Sequence, residues 1–213
     1  MSGGNYRTWW AKRWPRTLEP LGLSYPDNRI VRARTLLRGG ALDDLIVEPG
    51  ELTAWVDLPG RTFGVTVRVA VLDEPQWTLA EQALAGRVSC LADLLDDRLP
   101  EDVDRLLDPV GLALFPRDGE LTTECPCPSK SPVCVHVIAV QHGFAARFDD
   151  DPFLLPLLRG RERRALLAGV RSAMSASEFP APAPPLGVAV ASLPPDGFYA
   201  VEGARETLAA WGR

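Results

Sequence analysis

Between residues 50 and 71 apolar and polar positions alternate with a period of two. Leu52, Ala54, Val56 and Leu58 share one side of one run. Phe63, Val65, Val67, Val69 and Val71 share one side of the next, opposite Thr62, Thr66 and Arg68. Alternation of this kind marks strands with one buried face. Pro49-Gly50 and Pro59-Gly60 punctuate the runs as turns. The stretch 29–71 therefore reads as an antiparallel meander of three or four strands with one face on helices.

From residue 74 the spacing becomes helical. Leu91, Leu94, Leu95 and Leu99 form one stripe, and Val103, Leu106 and Leu107 another. Asp73 is placed to cap the first helix of this region, with Pro75 tolerated in its opening turn. Pro100 separates the second helix from the third. A short strand is expected at Leu112 to Phe115, then a turn at Asp118-Gly119. Val137, Val140, Phe144 and Phe148 stripe one further helix, and Leu166, Leu167 and Val170 a last one.

Near the start, Tyr6, Trp10 and Trp14 recur at i, i+4 and i+8 among Arg and Lys, one face of a short helix. This stripe either docks on the core with the Arg stems lying over it, or offers an aromatic-basic face to nucleic acid or a partner. Residues 175–187 form a Pro/Ala-rich linker, expected to be extended. The tail 188–213 carries Phe198, Tyr199 and Trp211. No internal repeat is visible.

At 213 residues with 46% hydrophobic and 24% charged positions, the chain is long and apolar enough to bury a core. No stretch reaches the roughly 20 apolar residues of a membrane span, and the opening MSGGNYRTWWAKRW lacks a secretory apolar segment. The expected compartment is cytoplasmic, where thiols stay reduced. The net charge is −5, unevenly spread. Residues 1–40 hold eight bases against two acids, whereas residues 73–108 hold ten acids against three bases. A basic end on an acidic body points to an anionic partner or an acidic protein surface, unless it is ordinary solvated surface.

The chemistry concentrates in one place. Cys125, Cys127, Cys134 and His136 follow the pattern C-x-C-x6-C-x-H within twelve residues. Three thiolates and an imidazole are a usual tetrahedral zinc set. In a strand, residues i and i+2 share a face, so Cys125 and Cys127 can aim both sulfurs at one point. Cys134 and His136 fall in the first turn of the helix that follows, whose N-terminus favours thiolate. The loop Pro128-Ser-Lys-Ser-Pro132 joins the two pairs. The expected unit is strand, turn and helix clamped by Zn2+. Plain core cysteines or a disulfide are the competing explanations. Against them, three of four cysteines and one of two histidines share twelve residues. Four protein donors also leave no position for a reactive water, so the site reads as structural. Cys90 reads as core and His142 as surface.

The cysteine pattern followed at once by an apolar helix resembles the SWIM zinc finger. The Trp9-Trp10-Ala-Lys-Arg-Trp14 opening resembles the bacterial, actinobacterial-type branch of that family. So do Leu114-Phe115-Pro116, the run from Phe148 to Leu155, and Leu158-Arg-Gly160-Arg161. The likeness covers about residues 6–175, and the four ligand positions match one for one. It implies an α+β fold: an N-terminal antiparallel β-meander packed on helices, then a small SWIM-type ββα zinc finger and C-terminal helices. The corresponding segments are 1–40 (basic, aromatic), 41–115 (meander and helices), 116–150 (finger), 151–174 (helices), 175–187 (linker) and 188–213 (tail). It implies a module that binds protein or DNA, with bacterial members often encoded beside SNF2-type helicases. Val135 stands where the family often has Lys, which removes a base from the finger and leaves Lys130 alone in its loop.

Two functions follow as expectations. One is a zinc-binding accessory protein that docks on a nucleic-acid enzyme such as an SNF2-type helicase. The other is direct DNA binding through Lys12, Arg13, Arg29, Arg32, Arg34 and Lys130, with steep salt dependence. No Gly-rich phosphate loop, G-x-S-x-G elbow or HExxH frame occurs in the sequence. The chain is therefore not expected to be an enzyme or to take a small-molecule substrate. No membrane partner is expected either.

Overall fold

The computed structural model describes residues 6–178. The tail 188–213, with Phe198, Tyr199 and Trp211, lies outside them, as does the linker beyond Glu178. Residues 1–175 make one compact unit, so the segments expected from 1–40 to 151–174 are parts of one body.

The fold is α+β around a four-stranded antiparallel sheet. Its strands are β1 (Leu42–Glu48), β2 (Glu51–Leu58), β3 (Arg61–Val69) and β4 (Leu121–Glu124), in the order β1-β2-β3-β4. The period-2 reading of β2 and β3 holds. Leu52, Ala54, Val56, Val65, Val67 and Val69 are buried on one face. Val71 is half exposed, because β3 ends at Val69. On the outer face Trp55 covers Gly64, where a Cβ would lie 2.9 Å from the indole.

The helices are α1 (Trp9–Arg13), α2 (Asn28–Arg38), α3 (Glu74–Ala85), α4 (Val88–Leu95), α5 (Val103–Leu107), α6 (Val135–Phe148), α7 (Leu154–Leu158) and α8 (Arg163–Glu178). A 3-10 turn, Trp14–Leu18, continues α1. Asp73 caps α3 in a capping box with Gln76. Leu94, Leu99, Val103 and Leu107 are buried, whereas Leu95 is exposed.

Three expectations need correction. Residues 28–38 are helix α2, not strand: Asp27 accepts the Arg29 N–H at the N-cap, and Ile30 and Ala33 are buried at i, i+3. Leu112 to Phe115 is not a strand. Asp104 Oδ1 accepts the N–H groups of Leu114 (2.7 Å) and Phe115 (3.3 Å), and Arg159 donates to the Ala113 carbonyl (3.1 Å). Side chains satisfy the backbone there, so no ladder is needed. The fourth strand is β4, which pairs Val69 with Leu121 and Thr66 with Glu124. Residues 175–178, assigned to the linker, are the last residues of α8.

Helix α6 is the central element. Val137, Ile138, Val140, Phe144 and Phe148 are each 0% exposed. It lies against α2 on one side and the sheet on the other. At Gly143 a Cβ would come 2.1 Å from Leu42 Cδ2, so a larger residue there would have to push that side chain aside. The aromatic stripe docks on α6: Trp14 packs on Phe144 at 4.6 Å, and the Trp10 indole donates to the Phe148 carbonyl at 2.8 Å. Asp149 accepts hydrogen bonds from the Arg7 and Thr8 backbone and fixes the start of α1. Arg159 is fully buried and ties Ala70, Ala113 and Glu120 together. No helix of the described residues is long and apolar enough to cross a membrane.

Candidate metal centre

Strand β4 ends at Glu124, so Cys125 and Cys127 follow directly from a backbone held by β3. The loop 128–133 then returns to α6. Cys134 is the N-cap of α6, in extended conformation, and its sulfur accepts the Val137 N–H at 3.5 Å. His136 is the second residue of the helix. The two halves of the motif thus sit on elements that the core already holds in place.

The four donor atoms of Cys125, Cys127, Cys134 and His136 all lie within 4.8 Å of one another. His136 presents Nδ1, at 3.6 Å from Cys125 Sγ and 3.8 Å from Cys134 Sγ. Zinc bonds of about 2.3 Å to sulfur and about 2.0–2.1 Å to nitrogen, opened at the tetrahedral angle, put S and N about 3.6 Å apart. The donor set therefore fits a metal ion of this size, and its softness is compatible with zinc.

Burial pushes the Cys125 thiol up to about 12 and also raises Cys134, against the Val137 hydrogen bond. Burial lowers His136, helped by the charge of Arg32. Packed thiols in such a place resist ionisation until a divalent cation supplies the compensating charge. With three thiolates on a divalent ion the centre would carry one negative charge. Arg29 and Arg32 stand close enough for their charges to act on Cys134 and His136 respectively.

Sequence reasoning missed two supports. Phe63 stacks on the His136 ring at 4.4 Å and 21°, which sets the imidazole plane. Its place on the inward side of β3 was visible; that it would meet His136 was not. Arg29 donates to the Val133 carbonyl at 2.6 Å and to Ser131 Oγ at 3.2 Å, which holds the loop before Cys134. Its partner Asp27 lies 2.6 Å away.

The six basic candidates do not converge. Arg13 pairs with Asp104 and lies over Phe115. Arg29 is spent on Asp27 and the loop. Arg32 is exposed on α2, and Lys130 is exposed in the finger loop beside an open groove that also takes in Glu124. Lys12 on α1 and Arg34 on α2 share a different hollow. His142, expected at the surface, is 3% exposed and lies beneath Tyr6. Cys90 is buried, as expected of a core residue.

The chain is similar to Uncharacterized protein Rv2102 of Mycobacterium tuberculosis (strain ATCC 25618 / H37Rv), with 35% identity over 181 residues. The match takes in 84% of this chain and spans 64% of that protein's length. No family model matches the chain, and no solved structure matches it significantly.

Proposed function

We propose that this protein is a noncatalytic, SWIM-type binding module in which Cys125, Cys127, Cys134 and His136 hold one structural Zn2+. The single observation that carries the reading is the convergence of three sulfurs and Nδ1 within 4.8 Å at the junction of β4 and α6. Zinc bound there supplies a cross-link, with all four positions filled by protein. The placing of strands β3 and β4 and helix α6 around the four donors is compatible with the ββα unit that the resemblance implies, with β3 drawn from the meander rather than from the adjoining chain. The function that follows is docking on a nucleic-acid enzyme such as an SNF2-type helicase.

The test has two stages. Purified protein should contain one zinc per chain, and Cys127→Ser should lose it. Affinity purification from the native cell should then recover a DNA-dependent ATPase with wild type and much less with Cys127→Ser. Metal-free protein would remove the zinc reading; metal-loaded protein without a nucleic-acid enzyme would remove the docking one.

Direct DNA binding is the second reading. Exposed Arg32 and Lys130 near the centre favour it, and the internal ion pairs of Arg13 and Arg29 weaken it. A gel shift at low salt decides it: absence of a complex ends this reading, since phosphate contacts are strongest there.

A further inference from the structure

A second place on the molecule gathers positive charge, of which Lys12 donates to the Arg7 carbonyl at 3.2 Å and Arg16 lies over the Tyr25 ring. Between α1 with its 3-10 turn, α2 and α6 lies a hollow of about 160 Å³. Its lining includes Lys12, Arg16, Arg34, Tyr6, Tyr25 and His142. Three are cations, two carry phenolic hydroxyls, and none is a carboxylate. Glu19 approaches Arg16 at 3.6 Å, with both side chains largely in solvent. Asp149 is taken by Arg7 and Thr8. Among the described residues no acid forms an ion pair with Lys12 or Arg34.

Two buried polar atoms there lack partners. Arg34 is half-buried, its Nε is sealed from solvent, and it accepts no counter-ion. Its charge acts on Tyr6, Tyr25 and His142. His142 is 3% exposed and its Nε2 has no hydrogen-bond partner. The Tyr6 hydroxyl lies 2.7 Å from His142 Nδ1. The same hydroxyl donates to the His142 carbonyl at 3.2 Å. A guanidinium fork, an ammonium and a second guanidinium are groups that recognise a tetrahedral oxyanion.

We propose that this hollow binds a phosphate group, held by Arg34 and Lys12 with Arg16 at the rim. The hollow is open and has room for one phosphate, so the source is either inorganic phosphate or a phosphomonoester, or one phosphate of a nucleic-acid backbone. The site is separate from the four metal donors and does not depend on how they are read. It also accounts for a half-buried arginine left without a carboxylate.

The experiment uses the full-length, metal-loaded protein and inorganic phosphate as probe, with sodium chloride matched for ionic strength. The chain has two histidines, so the His142 imidazole resonance is readily assigned. Phosphate should raise the unfolding midpoint and move that resonance saturably; chloride should do neither. Arg34→Met keeps the side-chain length and removes the fork, and should weaken phosphate at least tenfold. Lys12→Met, at an exposed position, should weaken it severalfold and serves if Arg34→Met does not fold. A short DNA oligonucleotide that displaces phosphate assigns the source to nucleic acid; failure to displace assigns it to a free phosphate or monoester. No saturable effect of phosphate on wild type, or an Arg34→Met protein that responds like wild type, overturns the proposal.

Discussion

His142 carries the clearest pH signature of any residue. Burial, aided by the charge of Arg34, lowers its pKa from the ordinary 6.5 to about 4. The folded protein therefore holds the neutral ring, while the unfolded chain binds a proton between those values. By linkage the contribution is complete above pH 6.5 and is lost as pH falls towards 4. Below 4 both states are protonated and it changes no further. The shift corresponds to about 3 kcal/mol. Denaturant unfolding of wild type and His142→Gln, followed from pH 7 to 4 in phosphate-free buffer, should show the steeper loss in wild type. The metal ligands titrate alike in both proteins, so the difference reports His142. Parallel curves would mean that the ring is not held neutral. The spacing from His136 had placed His142 off the ligand face, and no spacing argument could show that Tyr6, 136 positions away in sequence, would cover it.

At the scale of elements, the candidate metal centre is built from pieces that other parts of the fold already fix. Helix α2 matters most here, because Arg29 from its first turn clamps the Val133 carbonyl while Asp27 holds the guanidinium. Outer supports of this kind typically contribute about 10–100-fold to metal affinity. Arg29→Met should therefore bind zinc about tenfold more weakly in competition with a chromophoric chelator, with little change in the stability of the metal-saturated protein. Unchanged affinity with lowered stability would place Arg29 in the fold alone. The helix itself was legible in the sequence only in retrospect. Asn28–Arg38 has Asp27 at its cap, but its arginines mask the apolar i, i+3 positions, and the strands that follow drew the reading towards β. The same limit applies to β4: four residues with one buried side chain, Leu121, carry no period.

At the scale of the whole molecule, α6 changes what metal removal should do. A finger standing apart would melt alone when Cys127 is replaced. Here the finger helix is the core helix, and its buried Val137, Val140, Phe144 and Phe148 hold it without metal. Chelation should therefore shift one cooperative transition downward, by several kcal/mol but less than the roughly 10 kcal/mol or more of isolated zinc fingers. Helical circular dichroism at low temperature should persist. Calorimetry that resolves a separate low-temperature transition on chelation would contradict this. The charge asymmetry is also resolved at this scale. Arg13 of the basic end pairs with Asp104 of the acidic stretch, and Arg7 with Asp149 and Asp150. Part of the apparent polarity is thus satisfied internally.

Local pattern alone determined the two alternating strands β2 and β3, the capped helix at Asp73, the helix after the cysteines and the four donor positions. Each depends on periodicity or spacing within about a dozen residues, and such signals survive in one dimension. Tertiary packing decided the rest: the helical state of 28–38, the irregular path of 112–115, the burial of His142, and the partners of Arg13, Arg29 and Arg159. Those outcomes turn on which distant groups satisfy a backbone amide, a guanidinium or an imidazole. Long-range hydrogen bonding and desolvation leave no trace in the spacing of neighbours.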